Sequence, residues 1–65
     1  MIKASSDKYD YKVDKYVCAP NLYALYRKNK NSSAWGVLYV NIYSMECENK
    51  MKEYIKEDNE NGEER

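Results

Sequence analysis

The stretch AWGVLYVNIYS, residues 34–44, alternates in steps of two and therefore predicts a β-strand. One side of this strand carries aliphatic residues, namely Leu38, Val40 and Ile42. The other side carries mostly large aromatic and branched residues, namely Trp35, Val37, Tyr39, Asn41 and Tyr43. A strand that faces water on one side normally pairs an apolar side with a polar one. Both sides of this strand are suited to burial, so its second side is a candidate interaction surface.

Two further strands are predicted before this one in the chain. Residues 8–18 alternate between a charged side and an apolar side, which is typical of a strand with one solvated face. Its apolar side comprises Tyr9, Tyr11, Val13 and Val17. Residues 22–28 (LYALYRK) predict the next strand, whose two faces the pattern does not distinguish. Pro20 predicts a turn between these strands because it cannot donate a ladder hydrogen bond, and the polar residues 29–33 predict a hairpin connection.

A helix is predicted to begin at Ser44, whose hydroxyl can cap the free amides of a first turn. Apolar residues then recur at helical spacing and form one stripe: Cys47, Met51, Tyr54 and Ile55. We expect this stripe to pack on the aliphatic side of the strand quoted above. The predicted fold is therefore α+β, a small β-β-β-α domain in which a three-stranded antiparallel sheet carries one C-terminal helix on one face.

A chain of 65 residues has room for one domain with a small core. We place this single domain at residues 8–58. Residues 1–7 are polar and are expected to form a flexible N-terminus or a brief edge segment. Residues 59–65 are acidic and contain a glycine, so they predict a disordered tail.

The residue types argue against an enzyme. The sequence contains no histidine, which removes the commonest general base and the usual triad and zinc chemistries. Its two glycines, Gly36 and Gly62, cannot form a glycine-rich phosphate loop. Asp10 and Asp14 share a strand face at a separation of about 13 Å, too far for joint acid–base work. We therefore predict no catalytic residue, no cofactor and no metal.

The N-terminal stretch MIKASSDKYD lacks the apolar core of a secretory signal, so we predict a cytoplasmic protein. In a reducing cytosol Cys18 and Cys47 are expected to be free thiols, buried as small hydrophobic residues; a disulfide or a redox role is the alternative. No apolar run approaches the roughly 18 residues of a membrane span, so no membrane partner is expected.

The composition indicates the kind of genome that encodes the chain and the kind of surface that the protein presents. Nine lysines against two arginines, with seven asparagines, are typical of AT-rich coding in a low-GC bacterium or one of its phages. The chain is tyrosine-rich, with eight tyrosines and no phenylalanine, which suits half-wet contact surfaces. Net charge is zero, but residues 1–43 carry +4 and residues 44–65 carry −4. This asymmetry predicts a basic sheet and an acidic helix, or simply two solvated surfaces.

These observations favour a small non-enzymatic protein-binding module that acts through an exposed aromatic sheet face. The predicted partner-binding residues are Trp35, Val37, Tyr39 and Tyr43, with Tyr26, Arg27 and Lys28 as a basic corner. The partner is predicted to be another protein or a second copy in a homodimer. A phage or mobile-element accessory protein that inhibits a host or defence protein fits this description.

Three alternatives stay open. The first is a single-stranded nucleic-acid-binding module, in which aromatic rings stack on bases and cations meet phosphates. Its stacking residues would be Tyr26, Trp35 and Tyr39, and its phosphate contacts Arg27, Lys28 and Lys30. The second is a small structural subunit of a larger particle. In the third, the N-terminal segment or Tyr16 covers Trp35 and Tyr39 and forms a second small core.

Overall fold

The computed structural model describes residues 2–63 of the chain and the side chains of residues 2–59. Four strands and one helix follow one another: β1 (Ile2–Ser5), β2 (Tyr9–Tyr16), β3 (Ala19–Asn29), β4 (Gly36–Asn41) and α1 (Ser44–Glu63). The strands form one antiparallel sheet in the order β1-β2-β3-β4, and α1 contacts β2, β3 and β4. The prediction of an α+β fold with an antiparallel sheet and a C-terminal helix is confirmed.

The prediction of three strands is wrong, because Ile2–Ser5 form a fourth strand along β2. Ile2 lies opposite Val13, and Ala4 lies opposite Tyr11. Ala4 thereby reaches the hydrophobic core, so a short segment with two apolar side chains is enough to extend the sheet. The flexibility predicted for residues 1–7 is not tested by this pairing, and Met1 lies outside the described residues.

The core lies between the sheet and α1. Its buried members are Tyr11, Val13, Leu25, Cys47 and Met51, and partly buried side chains surround them: Ala4, Tyr9, Tyr23, Leu38, Tyr39, Tyr54 and Ile55. The predicted helix stripe is confirmed, since all four of its residues contact this core. The predicted apolar side of β2 is confirmed over Tyr9, Tyr11 and Val13, whereas Val17 lies in the following turn and is exposed.

The predicted aliphatic side of β4 does not form the core, because the alternation breaks at Leu38. Leu25 pairs with Tyr39, while the next residue, Tyr26, pairs with Val37. Leu38 is therefore an extra residue in a β-bulge, and the side chains on either side of it no longer keep one phase. Leu38 and Tyr39 both contact the core. The two other predicted core residues do not contribute: Val40 pairs with Ala24 on the opposite side, and Ile42 is exposed.

The turn between β2 and β3 occurs at Val17 and Cys18, before the position that Pro20 predicts. Pro20 instead lies inside β3. Tyr16 pairs with Ala19 and Lys15 pairs with Tyr23, so the register gives residues 20–22 no partner in β2. The pairing with β4 begins at Tyr23. The proline therefore costs no ladder hydrogen bond where it stands.

Helix α1 extends further than predicted. It is described as far as Glu63, whereas the sequence predicted its end near residue 58. The disorder predicted for residues 59–65 is not tested by this assignment, and residues 64–65 lie outside the described residues. At the start of α1, the backbone N–H of Tyr43 donates to Oδ1 of Asn41 at 2.9 Å, which closes the corner with β4. Across the described residues, no helix combines the length and apolar character needed to cross a membrane.

A hydrogen-bonded latch joins α1 to the turn between β1 and β2. Oη of Tyr11 donates to Oδ2 of Asp58 at 2.6 Å, and Oγ of Ser6 donates to the same oxygen at 2.8 Å. Oγ of Ser6 also accepts from the backbone N–H of Tyr9 at 3.2 Å. Because Tyr11 is buried, its hydroxyl depends on Asp58 as an acceptor, whereas Ser6 Oγ also lies 3.5 Å from the backbone carbonyl of Tyr9. We call Ser6, Tyr11 and Asp58 the latch.

The free energy of unfolding is expected to fall as the pH rises from about 10 to about 12. Burial, followed by the hydrogen bond to Asp58, raises the pKa of Tyr11 from 10.0 to about 12. In this window the unfolded chain has released a proton that the folded protein still holds, so unfolding becomes more favourable. Denaturant titrations through this range measure the decline. Tyr11→Phe should flatten it and Tyr43→Phe should not; equal slopes for Tyr11→Phe and wild type would contradict the assignment.

Candidate functional site

The side of the sheet opposite α1 is the candidate site, and no other described helix or strand covers it. Residues that pair directly across an antiparallel sheet point to the same side. The pairs Lys3–Lys12, Asp10–Lys28 and Tyr26–Val37 therefore share this side. We call it the open face; it comprises Lys3, Ser5, Asp10, Lys12, Asp14, Ala24, Tyr26, Lys28, Val37 and Val40, with Trp35 beside β4.

Four of the seven predicted partner-binding residues lie on the open face: Tyr26, Lys28, Trp35 and Val37. Tyr39 and Arg27 lie on the helix side, where Lys50 Nζ is 5.6 Å from the Tyr39 ring centre and the Arg27 guanidinium is 4.2 Å from that of Tyr9. Tyr43 is exposed at the corner between β4 and α1. The structure therefore divides the predicted site between two sides of the sheet.

Lys12 brings the two aromatic rings of the open face together. Its Nζ lies 4.6 Å from the ring centre of Trp35 and 5.2 Å from that of Tyr26. Nζ of Lys28 lies 5.5 Å from the same indole. Ammonium groups at these distances are attracted to the negative faces of the rings. Trp35, half-buried, is therefore held among lysine side chains.

The side chain of Tyr26 runs along the surface of the sheet. Its hydroxyl donates to the backbone carbonyl of Lys15 at 3.0 Å, although its backbone partner is Lys12, three residues earlier in β2. The side chain is 7% exposed. Tyr26 therefore forms part of a thin second packing layer with Lys12. The third alternative expected Tyr16 or the N-terminus to cover Trp35 and Tyr39; the cover seen on Trp35 comes from lysines.

The open face carries an excess of positive charge. Nζ of Lys28 and Nζ of Lys30 lie 3.0 and 3.2 Å from the carboxylate of Asp10. The hydrogen bonds from Lys28 and then from Lys30 lower the pKa of Asp10. Lys3 and Lys12 pair directly across β1 and β2, and among the described residues neither has a carboxylate within 4 Å. With Lys30 beside the open face, four lysines thus lie against two carboxylates, those of Asp10 and Asp14.

A groove of about 420 Å3 runs over this charged part of the open face. Lys3 and Ser5 of β1 line it together with Lys28 and Trp35, and Asp10 of β2 also lines it. Val37, 44% exposed, lies on the same face in the strand that follows Trp35. A groove with a cationic border and an aromatic wall can bind an anionic group and an apolar group together.

The acidic residues of α1 that point outward lie on the other side of the molecule. Exposed or half-exposed glutamates include Glu46, Glu48, Glu53 and Glu57. Lysines of the same helix lie within 4 Å of two of them, in the pairs Lys50–Glu53 and Lys52–Glu48. The charge asymmetry of the sequence therefore becomes a separation between a basic open face and a more acidic helix.

The cysteines lie outside the open face. Both thiols are free; Cys47 is buried, and Cys18 is exposed in the turn, which corrects the prediction that both are buried. Burial raises the pKa of the Cys47 thiol. Within residues 2–63, no group of three acidic or cysteine side chains is placed to hold a metal ion.

Sequence reasoning missed Lys3 and Lys12 as site residues. Alternation did assign Lys12 to the charged side of β2, but no sequence signal placed that side beneath Trp35. Lys3 was missed because its segment was expected to be a flexible N-terminus or a brief edge segment, and no residue of it was assigned to the site. No known protein family, curated protein or solved structure matches this chain.

Proposed function

We propose that the protein is a stoichiometric protein-binding module whose open face covers a surface of another protein. The observation that carries the proposal is the placement of Trp35, held among Lys12 and Lys28 and followed by exposed Val37. Buried aromatic anchors with apolar neighbours and a charged rim are the usual anatomy of a protein interface. The open face has these three components.

The geometry supports a protein partner over the nucleic-acid alternative. Of the three rings expected to stack on bases, Tyr26 is 7% exposed and its hydroxyl is bound, and Tyr39 lies on the helix side. Trp35 is the one that remains on the open face. Arg27, expected to contact phosphate, also lies on the helix side. Nucleic-acid modules that bind single strands use several successive stacking platforms.

The same charges argue against a homodimer through the open face. In a two-fold contact the same patch of both chains meets, residue i against residue j, so two faces that each carry more lysines than carboxylates would be brought together. Like charges brought together at an interface cost several kcal/mol. The partner is therefore a different protein. Small size and AT-rich composition support the further proposal that the module is a phage or mobile-element accessory protein that inhibits a host or defence protein.

Replacing Trp35 with alanine is expected to weaken partner binding at least tenfold, because an aromatic anchor at a patch centre contributes about 2 kcal/mol. The partner is first captured from a nuclease-treated lysate of a low-GC bacterium with the tagged protein. Affinity is then measured with the purified pair. Tyr43→Ala is the matched control, because Tyr43 is exposed but lies away from the open face. Equal affinity for Trp35→Ala and wild type, with both folded by circular dichroism, would contradict the proposal.

A further inference from the structure

The pairing of Lys3 with Lys12 across β1 and β2 is unfavourable within the protein itself. Like charges directly opposite each other in a sheet destabilise it. Asp10 offsets Lys28 and Lys30, but no described carboxylate lies within 4 Å of Lys3 or Lys12. Lys12 contacts the rings of Trp35 and Tyr26, but neither lysine of the pair has a compensating carboxylate among the described residues. A local arrangement that opposes stability in this way is expected where function requires it. The contact that would relieve the repulsion between Lys3 and Lys12 is one with an anion.

We infer that the groove on the open face takes an acidic, extended peptide segment of the partner protein. This inference rests on the proposed function. Carboxylates of that segment would pair with Lys3 and Lys12. An apolar residue beside them would pack on Trp35 and Val37. The acidic segment is thus complementary to the groove in both charge and polarity.

The remaining charges of the groove define how far the anion site extends. Nζ of Lys28 already lies 3.0 Å from Asp10 and Nζ of Lys30 lies 3.2 Å from it. A second anion placed there would meet the negative charge of Asp10. The binding position is therefore at Lys3, which lines the groove, and at Lys12, which lies opposite Lys3 in β2. Replacing Asp10 with asparagine removes this competing charge and should strengthen binding.

The groove favours carboxylates of a protein over phosphates of a nucleic acid. Phosphates of a single strand come with bases, which need stacking surfaces along the site. Only the Trp35 ring offers one on the open face, since Tyr26 is nearly buried. The acidic α1 on the other side of the molecule leaves the net charge at zero, whereas nucleic-acid modules are clearly basic. A peptide that carries spaced carboxylates and one apolar side chain needs only one aromatic surface, and its binding does not require a protein of high positive net charge.

The test uses the fluorescence of Trp35, the single tryptophan of the chain. Three probes are titrated: a tryptophan-free ten-residue peptide with five glutamates and one leucine, the same peptide with glutamines, and a ten-nucleotide oligothymidylate. The glutamate peptide is expected to change the fluorescence with an affinity that falls as salt rises from about 20 to about 200 mM. The glutamine peptide is expected to bind at least tenfold more weakly. No response to the glutamate peptide, or tighter binding of oligothymidylate, would overturn the inference.

Charge variants locate the site. Lys3→Gln combined with Lys12→Gln is expected to weaken the glutamate peptide at least tenfold, and Asp10→Asn to strengthen it severalfold. Lys56→Gln, which removes the same charge from an exposed position on α1, should leave affinity unchanged. If Lys56→Gln lowers the affinity for the glutamate peptide as much as the Lys3 and Lys12 variant does, the peptide is attracted by overall charge and not by a defined site. That result would refute the inference. If the captured partner is lost with Trp35→Ala but kept with the Lys3 and Lys12 variant, the inference fails while the proposed function stands.

Discussion

Leu25→Ala is expected to lower the free energy of unfolding by about 2–5 kcal/mol. Leu25 is 0% exposed and lies between Val13 of β2 and Tyr39 of β4, on the side that α1 covers. The loss combines the transfer free energy of the deleted atoms with the cost of the cavity that remains. A domain of this size has a total stability of only about 3–10 kcal/mol, so the variant should be close to unfolding.

Urea denaturation followed by circular dichroism and by Trp35 fluorescence measures this loss. Val17→Ala is the matched control, because it also shortens a branched aliphatic side chain but does so at a position that is 81% exposed. That control should stay within about 0.5 kcal/mol of wild type. If Leu25→Ala unfolds at the wild-type midpoint, the core does not lie between the sheet and α1 as described.

Asp58→Ala is expected to lower the free energy of unfolding by about 1–3 kcal/mol, the usual cost of leaving a buried donor without its acceptor. Tyr11, 1% exposed, and Ser6 both donate to this carboxylate. Glu57→Ala removes a carboxylate from the neighbouring exposed position and serves as the control. Urea midpoints of the two variants give the comparison. A similar small change in both would mean that the latch contributes little.

The latch also connects stability to the proposed site. Ser6 directly follows β1, which carries Lys3 to the border of the groove. By fixing the turn after β1, the hydrogen bonds to Asp58 hold this short strand in register with β2. Asp58→Ala is therefore expected to weaken binding of the acidic peptide as well, although Asp58 does not contact the groove. The size of that loss relative to Lys3→Gln measures how far the position of Lys3 depends on the latch.

Much of the fold could be predicted from local pattern. The apolar side of β2 alternates without interruption from Tyr9 to Val13, and the stripe that begins at Cys47 repeats at helical spacing. Both patterns need only one regular element to be interpreted, and both were confirmed. The connection predicted at residues 29–33 lies between β3 and β4 at residues 30–35, whereas the order of the strands was left undetermined by the sequence. The candidate site depends on relations between elements and was predicted only in part.

The sequence by itself determined the fold class, the helix stripe and the core side of β2, because these depend on the period of side chains within one element. The tertiary structure alone decided which side of the sheet each residue of β4 occupies. The bulge at Leu38 changes the phase of alternation, so Tyr39 joins the core while Trp35 and Val37 stay with the open face. It also decided that Lys3 and Lys12 lie together near Trp35. Such contacts arise from strand pairing and register, which no single element specifies.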